Sequence, residues 1–243
     1  MSSIVGAIFS KFKDGVYKFL GIYDKVKKIK RLLFKTNKIF LLLARYNSTI
    51  NYIIDSSGDP IRISTFFLAI QDIVQNHIKG SFAELGVYKG EISKYLHKFA
   101  PARKFYLFDT FQGFSTKDLE PGKDPDSEKH RFKDTSLEMV QKNLGNMNNI
   151  YIKKGYFPET AEGLESERFA FVLIDVDKYK PTMAGLEFFY PRVTKGGYIF
   201  IHDYTSLESN RDAFKAVNEF LQDKPEKVVV IPDLRGTAIF RKT

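Results

Sequence analysis

Three short segments carry the residues most able to do chemistry. Asp175-Val176-Asp177 closes the apolar run 171–174, and His202-Asp203 closes the run 198–201. Asp175, His202 and Asp203 together form an oxygen-rich set for a divalent cation such as Mg²⁺, which takes one to three carboxylates with water and substrate oxygens. An ion held there would lower the pKa of a bound hydroxyl and orient it for attack. Without metal, Asp175 and Asp203 would cap the helices that follow or bind the cofactor directly. Glu84-Leu85-Gly86-Val87-Tyr88-Lys89-Gly90 closes a third apolar run. Gly86 allows a tight turn, and Gly90 lets the next helix approach a ligand. This is not the Gly-x-Gly-x-x-Gly of pyrophosphate binders. An acid at Glu84 repels phosphate and suits an ammonium. S-adenosylmethionine has that polarity, with an ammonium, a sulfonium and no phosphate. Asp109 lies 25 residues after Glu84, at the end of another apolar run, where an acid can accept both hydroxyls of a ribose. Gly155 and Phe157, in the segment 154–160, read either as an adenine slot or as a plain turn with core aromatics.

These segments need a scaffold that delivers each of them to one edge. Apolar runs predict strands near 81–86, 104–108, 150–153, 169–175, 197–202 and 226–231. Apolar periodicity predicts helices near 64–78, 88–99, 134–145, 181–194 and 208–222. Continuous apolar strands alternating with helices argue for a parallel sheet covered on both faces. The tail 227–240 reads instead as an antiparallel hairpin around Pro232 and Asp233. Residues 115–133 are charged, contain Pro121, Gly122 and Pro125, and are expected to form a long mobile loop of the kind that serves as a lid.

The 243 residues carry a net charge of +9, and residues 1–45 hold all of it: eleven Lys or Arg against Asp14 and Asp24. The rest of the chain is balanced, which argues against nucleic acid as a partner. Residues 4–45 read as a basic amphipathic helix. It would pack on its own domain or a partner subunit, or attach peripherally to an anionic membrane. The turn-rich segment 47–60 marks a boundary, giving a helical extension over 1–60 and a catalytic domain over 61–243. The apolar start lacks the basic flank of a secretory signal, and the later run 39–44 is far shorter than the roughly 20 residues of a membrane span. There is no cysteine, which excludes disulfides and thiolate metal sites and fits a cytoplasmic setting, at most peripheral at the inner face of the membrane.

Five ordered motifs carry a family resemblance. Ala83–Gly90, Asp109-Thr110-Phe111-Gln112-Gly113-Phe114, Gly155–Thr160, Ile174–Tyr179 and Gly196–Tyr204 resemble those of the macrocin O-methyltransferases (TylF/MycF-like), class I S-adenosylmethionine-dependent enzymes that methylate sugar hydroxyls. The resemblance covers roughly residues 64–240. It implies a Rossmann-like α/β fold whose mostly parallel, seven-stranded sheet has an antiparallel last strand and helices on both faces. It further implies S-adenosylmethionine held by Glu84, Gly86, Tyr88, Gly90, Ser93 and Asp109, with Gly155 and Phe157 near the adenine. Asp175, His202 and Asp203 would hold Mg²⁺ or another divalent cation, and Asp175 or His202 would act as base. The family usually has aspartate where His202 stands, and imidazole is a poorer Mg²⁺ ligand than carboxylate. Lys178 stands where the family commonly has leucine and is expected to be exposed. A small-molecule or saccharide acceptor follows, and self-association is a family tendency. The alternatives are a metal-independent methyltransferase with His202 as base and a non-catalytic membrane-associated binding module.

Overall fold

The structure, a computed structural model, describes residues 46–120, 124–208 and 210–243. The chain divides after Asp55 into two units. The basic helix expected over 4–45 lies outside the described residues. The first described element, helix α1 (Ser48–Ser56), occupies much of the segment expected to be turns. Asn47 accounts for the difference. Its Oδ1 accepts from the Ile50 amide at 3.0 Å and its carbonyl accepts from Asn51 at 3.0 Å, so the polar cluster caps a helix instead of breaking one.

In the second unit, α2 spans Pro60–Gln75 and starts earlier than the periodicity predicts. Asp59 caps it by accepting from the Arg62 amide at 3.1 Å, and Pro60 suits the first helical turn. Its buried stripe is Ile63, Phe66, Ile70 and Ile73, while Leu68 and Val74 are exposed. Strands β1 (Ser81–Leu85), β2 (Phe105–Asp109), β3 (Ile150–Lys154), β4 (Phe169–Ile174), β5 (Val193–Ile201), β6 (Val229–Ile231) and β7 (Thr237–Arg241) follow. Between them run α3 (Glu91–Phe99), α4 (Leu137–Leu144), α5 (Tyr179–Phe189) and α6 (Asp212–Phe220). The sheet order is β3-β2-β1-β4-β5-β7-β6. The first five strands are parallel; β7 is antiparallel to β5 and β6. The expected sheet and closing hairpin are both present.

Both faces of β4 are covered, as its unbroken apolar run requires. Phe66 of α2 meets Phe171 and Phe200 edge-on at 5.7 and 4.9 Å. Phe189 of α5 meets Phe169 edge-on at 5.1 Å. α5 ends sooner than predicted, because Pro191 cannot continue a helix; a short 3₁₀ turn over Tyr190–Arg192 leads into β5. The segment 115–133 is also better anchored than expected. It contains a 3₁₀ turn at Asp126–His130. Lys178, 1% exposed rather than open to solvent, reaches Asp124 at 2.6 Å and Glu128 at 2.9 Å. Lys180 Nζ donates to the Lys117 carbonyl at 2.7 Å.

Candidate active site

All five parallel strands deliver their carboxyl ends to one edge, and β1 lies between β2 and β4, where the strand order reverses. Open α/β sheets bind ligands at such a point. Here a cavity of about 580 Å³ runs across the strand ends. Of the candidate residues from the sequence, all but Gly90 and Ser93 line it.

Glu84, the penultimate residue of β1, is 1% exposed. Ser93 stands behind it and donates from Oγ to Glu84 Oε2 at 2.6 Å. Ser93 therefore orients the acid and does not itself line the cavity. Burial, reinforced by the charges of Asp175 and Asp109, pushes Glu84 up to about 8, against the opposing bond from Ser93. Gly86 has φ +93°, and a Cβ there would fall 1.9 Å from the Asp175 carbonyl oxygen. Its glycine lets the loops after β1 and β4 touch backbone to backbone. Gly90 caps α3 at φ +77°, and a Cβ there would meet Val140 at 3.2 Å. It serves helix packing and does not face the cavity. The Asp109 carboxylate accepts from the amides of Val87 (2.7 Å), Tyr88 (2.8 Å) and Phe111 (2.6 Å). It pins the first loop, and a carboxylate so used keeps further acceptor capacity on its cavity side. Tyr88 donates from its hydroxyl to Asp134 at 2.7 Å. Gly155 donates its amide to the Asp109 carbonyl at 2.9 Å. Phe157 is 4% exposed and stacks on Phe189 at 5.5 Å, so it is core aromatic forming the cavity floor.

On the other side of β1, Asp175, His202 and Asp203 converge, each offering a ligand atom within 4.8 Å of the others. His202 Nδ1 lies 3.0 Å from Asp175 Oδ1 and 2.9 Å from Asp203 Oδ2. Burial works against charge on His202, but the Asp175 carboxylate outweighs it and raises the imidazole to about 10. The rise favours the protonated imidazole, whose Nδ1 faces both acids. Burial and the hydrogen bond to Asp203 push Asp177 well above the carboxylate range. Burial also acts on Asp203, yet the bonds from His202 and Asp177 hold it far below that range.

Three arginines face this cluster, one for each aspartate: Arg62 to Asp175 at 3.5 Å, Arg131 to Asp177 at 3.8 Å and Arg235 to Asp203 at 3.8 Å. The sequence reading missed them. They come from α2, the long loop and the β6–β7 connection, and no local pattern links them. Asp203 Oδ1 is buried and faces Arg235 at 3.8 Å without a hydrogen bond, an acceptor that a cation could meet. Two carboxylates and an imidazole fit a divalent ion, provided the imidazole gives up its proton. Tyr88, Phe132, Asp177 and Asp203 line the cavity at positive φ, between +51° and +58°. Such strain, on the order of 1–3 kcal/mol per residue, concentrates at functional sites.

The sheet and its edge cavity define a Rossmann-like methyltransferase architecture. Solved structures agree: the O-methyltransferase NovP covers 76% of this chain and 80% of its own at TM-score 0.60 and 21% identity. The calicheamicin methyltransferase CalS11 covers 74% and 78% at TM-score 0.60 and 18% identity. The macrocin-O-methyltransferase (TylF) family profile matches residues 58–231, and the chain belongs to that family. Among relatives, mycinamicin III 3''-O-methyltransferase of Micromonospora griseorubida is 28% identical over 159 residues, covering 59% of this chain and 62% of its own. Demethyldecarbamoylnovobiocin O-methyltransferase of Streptomyces niveus is 26% identical over 166 residues, covering 63% of each chain. The chain thus matches less than two thirds of the length of these relatives. Among the described residues, no helix is long and apolar enough to cross a membrane.

Proposed function

We propose that this chain is an S-adenosylmethionine-dependent O-methyltransferase acting on a hydroxyl of a sugar or a glycosylated small molecule. A divalent cation at Asp175, His202 and Asp203 would assist it. One observation carries the reading: a single cavity joins a buried acid on β1 to a cluster of acids and histidine at the ends of β4 and β5. The relatives support the choice of acceptor: the two above are named for O-methylation of mycinamicin III and demethyldecarbamoylnovobiocin, and another, from Streptomyces olivaceus and 24% identical over 165 residues, is named for O-methylation of a rhamnosyl-tetracenomycin.

S-adenosylmethionine supplies a methyl on a sulfonium, a donor already activated for transfer. Glu84 would accept hydrogen bonds from the ammonium end, and Asp109 would turn its free acceptor capacity to the ribose hydroxyls. A bound divalent ion would act as a Lewis acid on the acceptor hydroxyl; the imidazole among its ligands favours Mn²⁺-like ions over Mg²⁺. Asp175 is the most exposed member of the cluster, at 24%. It would take the hydroxyl proton as the acceptor oxygen attacks in line with the departing sulfur. His202 and Arg62 fix the Asp175 carboxylate beforehand, so little reorganisation is left for the reaction itself.

Residues 61–243 would form the catalytic domain. Because the net charge sits in residues 1–45 and the family match begins at 58, the basic extension would dock peripherally on an anionic membrane at its cytoplasmic face. Self-association remains part of the reading. Calorimetry with S-adenosylhomocysteine tests the central claim, and a protein that binds none would refute it.

A further inference from the structure

Leu207 and Leu234, each 78% exposed, are the most exposed large apolar side chains among the described residues. Neither lines the cavity, yet both stand next to residues of the site. Leu234 precedes Arg235. Leu207 follows the turn in which the Ser206 amide donates to the Asp203 carbonyl at 3.1 Å. The two loops that carry them are fastened together: Thr205 Oγ1 donates to the Arg235 carbonyl at 2.9 Å, and Arg235 pairs with Glu208. β6, the edge strand that leads into the second loop, exposes Val229 and Val230 as well. Exposed leucines forfeit the burial that would stabilise them in a core. An apolar patch rimmed by polar residues marks an interaction surface, and this one lies at the Asp203 end of the cavity.

What covers the patch follows from how the chain reaches it. The catalytic unit begins at Ser56, and Asp59, three residues on, accepts from the Leu234 amide at 3.2 Å. Residues 1–45, which hold the whole net charge, are therefore tethered through 46–58 to a point beside Leu234. Both acids of the two loops are already engaged, Glu208 by Arg235 and Asp233 by the Thr237 amide at 2.8 Å, while Arg211 is exposed. Stable attachment to a bilayer takes two signals, such as a basic segment and an apolar anchor. We propose that Leu207 and Leu234 are that anchor, inserting into the interfacial layer of an anionic bilayer and turning the Asp203 end of the cavity toward the lipid headgroups. The inference rests on the proposed membrane docking of residues 1–45. A second copy of the chain fits the patch less well. β6 has three residues, a short edge for strand pairing, and a tethered segment of charge +9 repels its own copy.

The chain has no cysteine, so a single introduced thiol can carry an environment-sensitive dye. Leu207→Cys and Leu234→Cys are made in the full chain, with Met139→Cys as control. Met139 is exposed on α4, which connects β2 to β3 at the opposite end of the sheet. Each labelled protein is mixed with vesicles of phosphatidylglycerol and phosphatidylcholine. Emission should brighten and move to the blue at both leucine positions and stay unchanged at the control. Leu207→Asp and Leu234→Asp should each lower vesicle partitioning by roughly tenfold, with melting temperature and S-adenosylhomocysteine affinity at wild-type values. Vesicle binding with no spectral change at either leucine, or undiminished in the aspartate variants, would overturn the assignment and leave the docking of residues 1–45 standing. A blue shift that grows with protein concentration in the absence of vesicles would give the patch to a second copy and overturn it as well. A full chain that binds no vesicles would overturn both.

Discussion

Glu84 sets up a test in which ligand binding and stability should move in opposite directions. With the carboxyl raised to about 8, roughly one tenth of the free protein carries a charged Glu84 at about pH 7. An ammonium needs the charged form. Binding of S-adenosylhomocysteine should then release nearly one proton at about pH 7, and affinity should climb close to tenfold per pH unit up to about pH 8 before levelling. Calorimetry in two buffers of different ionisation enthalpy counts the proton directly. Glu84→Gln should abolish both effects and weaken binding by roughly 2 kcal/mol above about pH 8, the worth of a charge-assisted hydrogen bond. The free protein should respond the other way. A carboxyl raised from 4.5 to about 8 on folding contributes stability that is complete below 4.5 and lost as pH climbs through 8, about 5 kcal/mol at most. Glu84→Gln removes that loss, so the unliganded variant should melt higher than wild type at alkaline pH. Binding that is independent of pH, with no proton released, would refute the assignment of Glu84 to a cationic group.

Asp175→Asn should leave S-adenosylhomocysteine affinity nearly unchanged and reduce methyl transfer to a candidate glycoside by roughly 10²- to 10⁴-fold, the range of a lost general base; a large loss of cofactor affinity would place Asp175 elsewhere. Wild type should bind Mn²⁺ more tightly than Mg²⁺, and His202→Asp should shift the ratio toward Mg²⁺ by at least the roughly tenfold that even outer-shell changes produce; an unchanged ratio in calorimetric titrations would remove His202 from the ligand set. Lys178→Met leaves the buried Asp124 and Glu128 carboxylates without their shared cation and should cost about 3–5 kcal/mol in urea denaturation; a cost under about 1 kcal/mol would mean that solvent reaches them. The full chain should sediment with anionic vesicles at low salt and not with zwitterionic ones, while a chain lacking residues 1–45 should remain in the supernatant; equal sedimentation of both would clear the basic segment of that role.

The sequence by itself determined the sheet and the identity of most of the cavity's polar residues. Strand runs such as 169–174 are apolar without interruption, which only a strand buried on both faces requires. The acids follow at the strand ends, where a parallel sheet puts its ligand edge. Local capping was harder to see: Asn47 and Asp59 read as turn residues until their side chains were found on helix amides. Tertiary structure alone decided what the residues do to one another. The family resemblance implies Gly90 and Ser93 as ligand contacts, yet in the fold one packs beside Val140 and the other donates to Glu84. Lys178 read as exposed, and Arg62, Arg131 and Arg235 were silent in the sequence, because an ion pair is set by distance in space and these partners lie far away along the chain. The raised pKa of His202 belongs to the same class. An imidazole alone titrates near neutrality. Only folding brings Asp175 and Asp203 to one of its nitrogens in a buried place, where water no longer screens their charges.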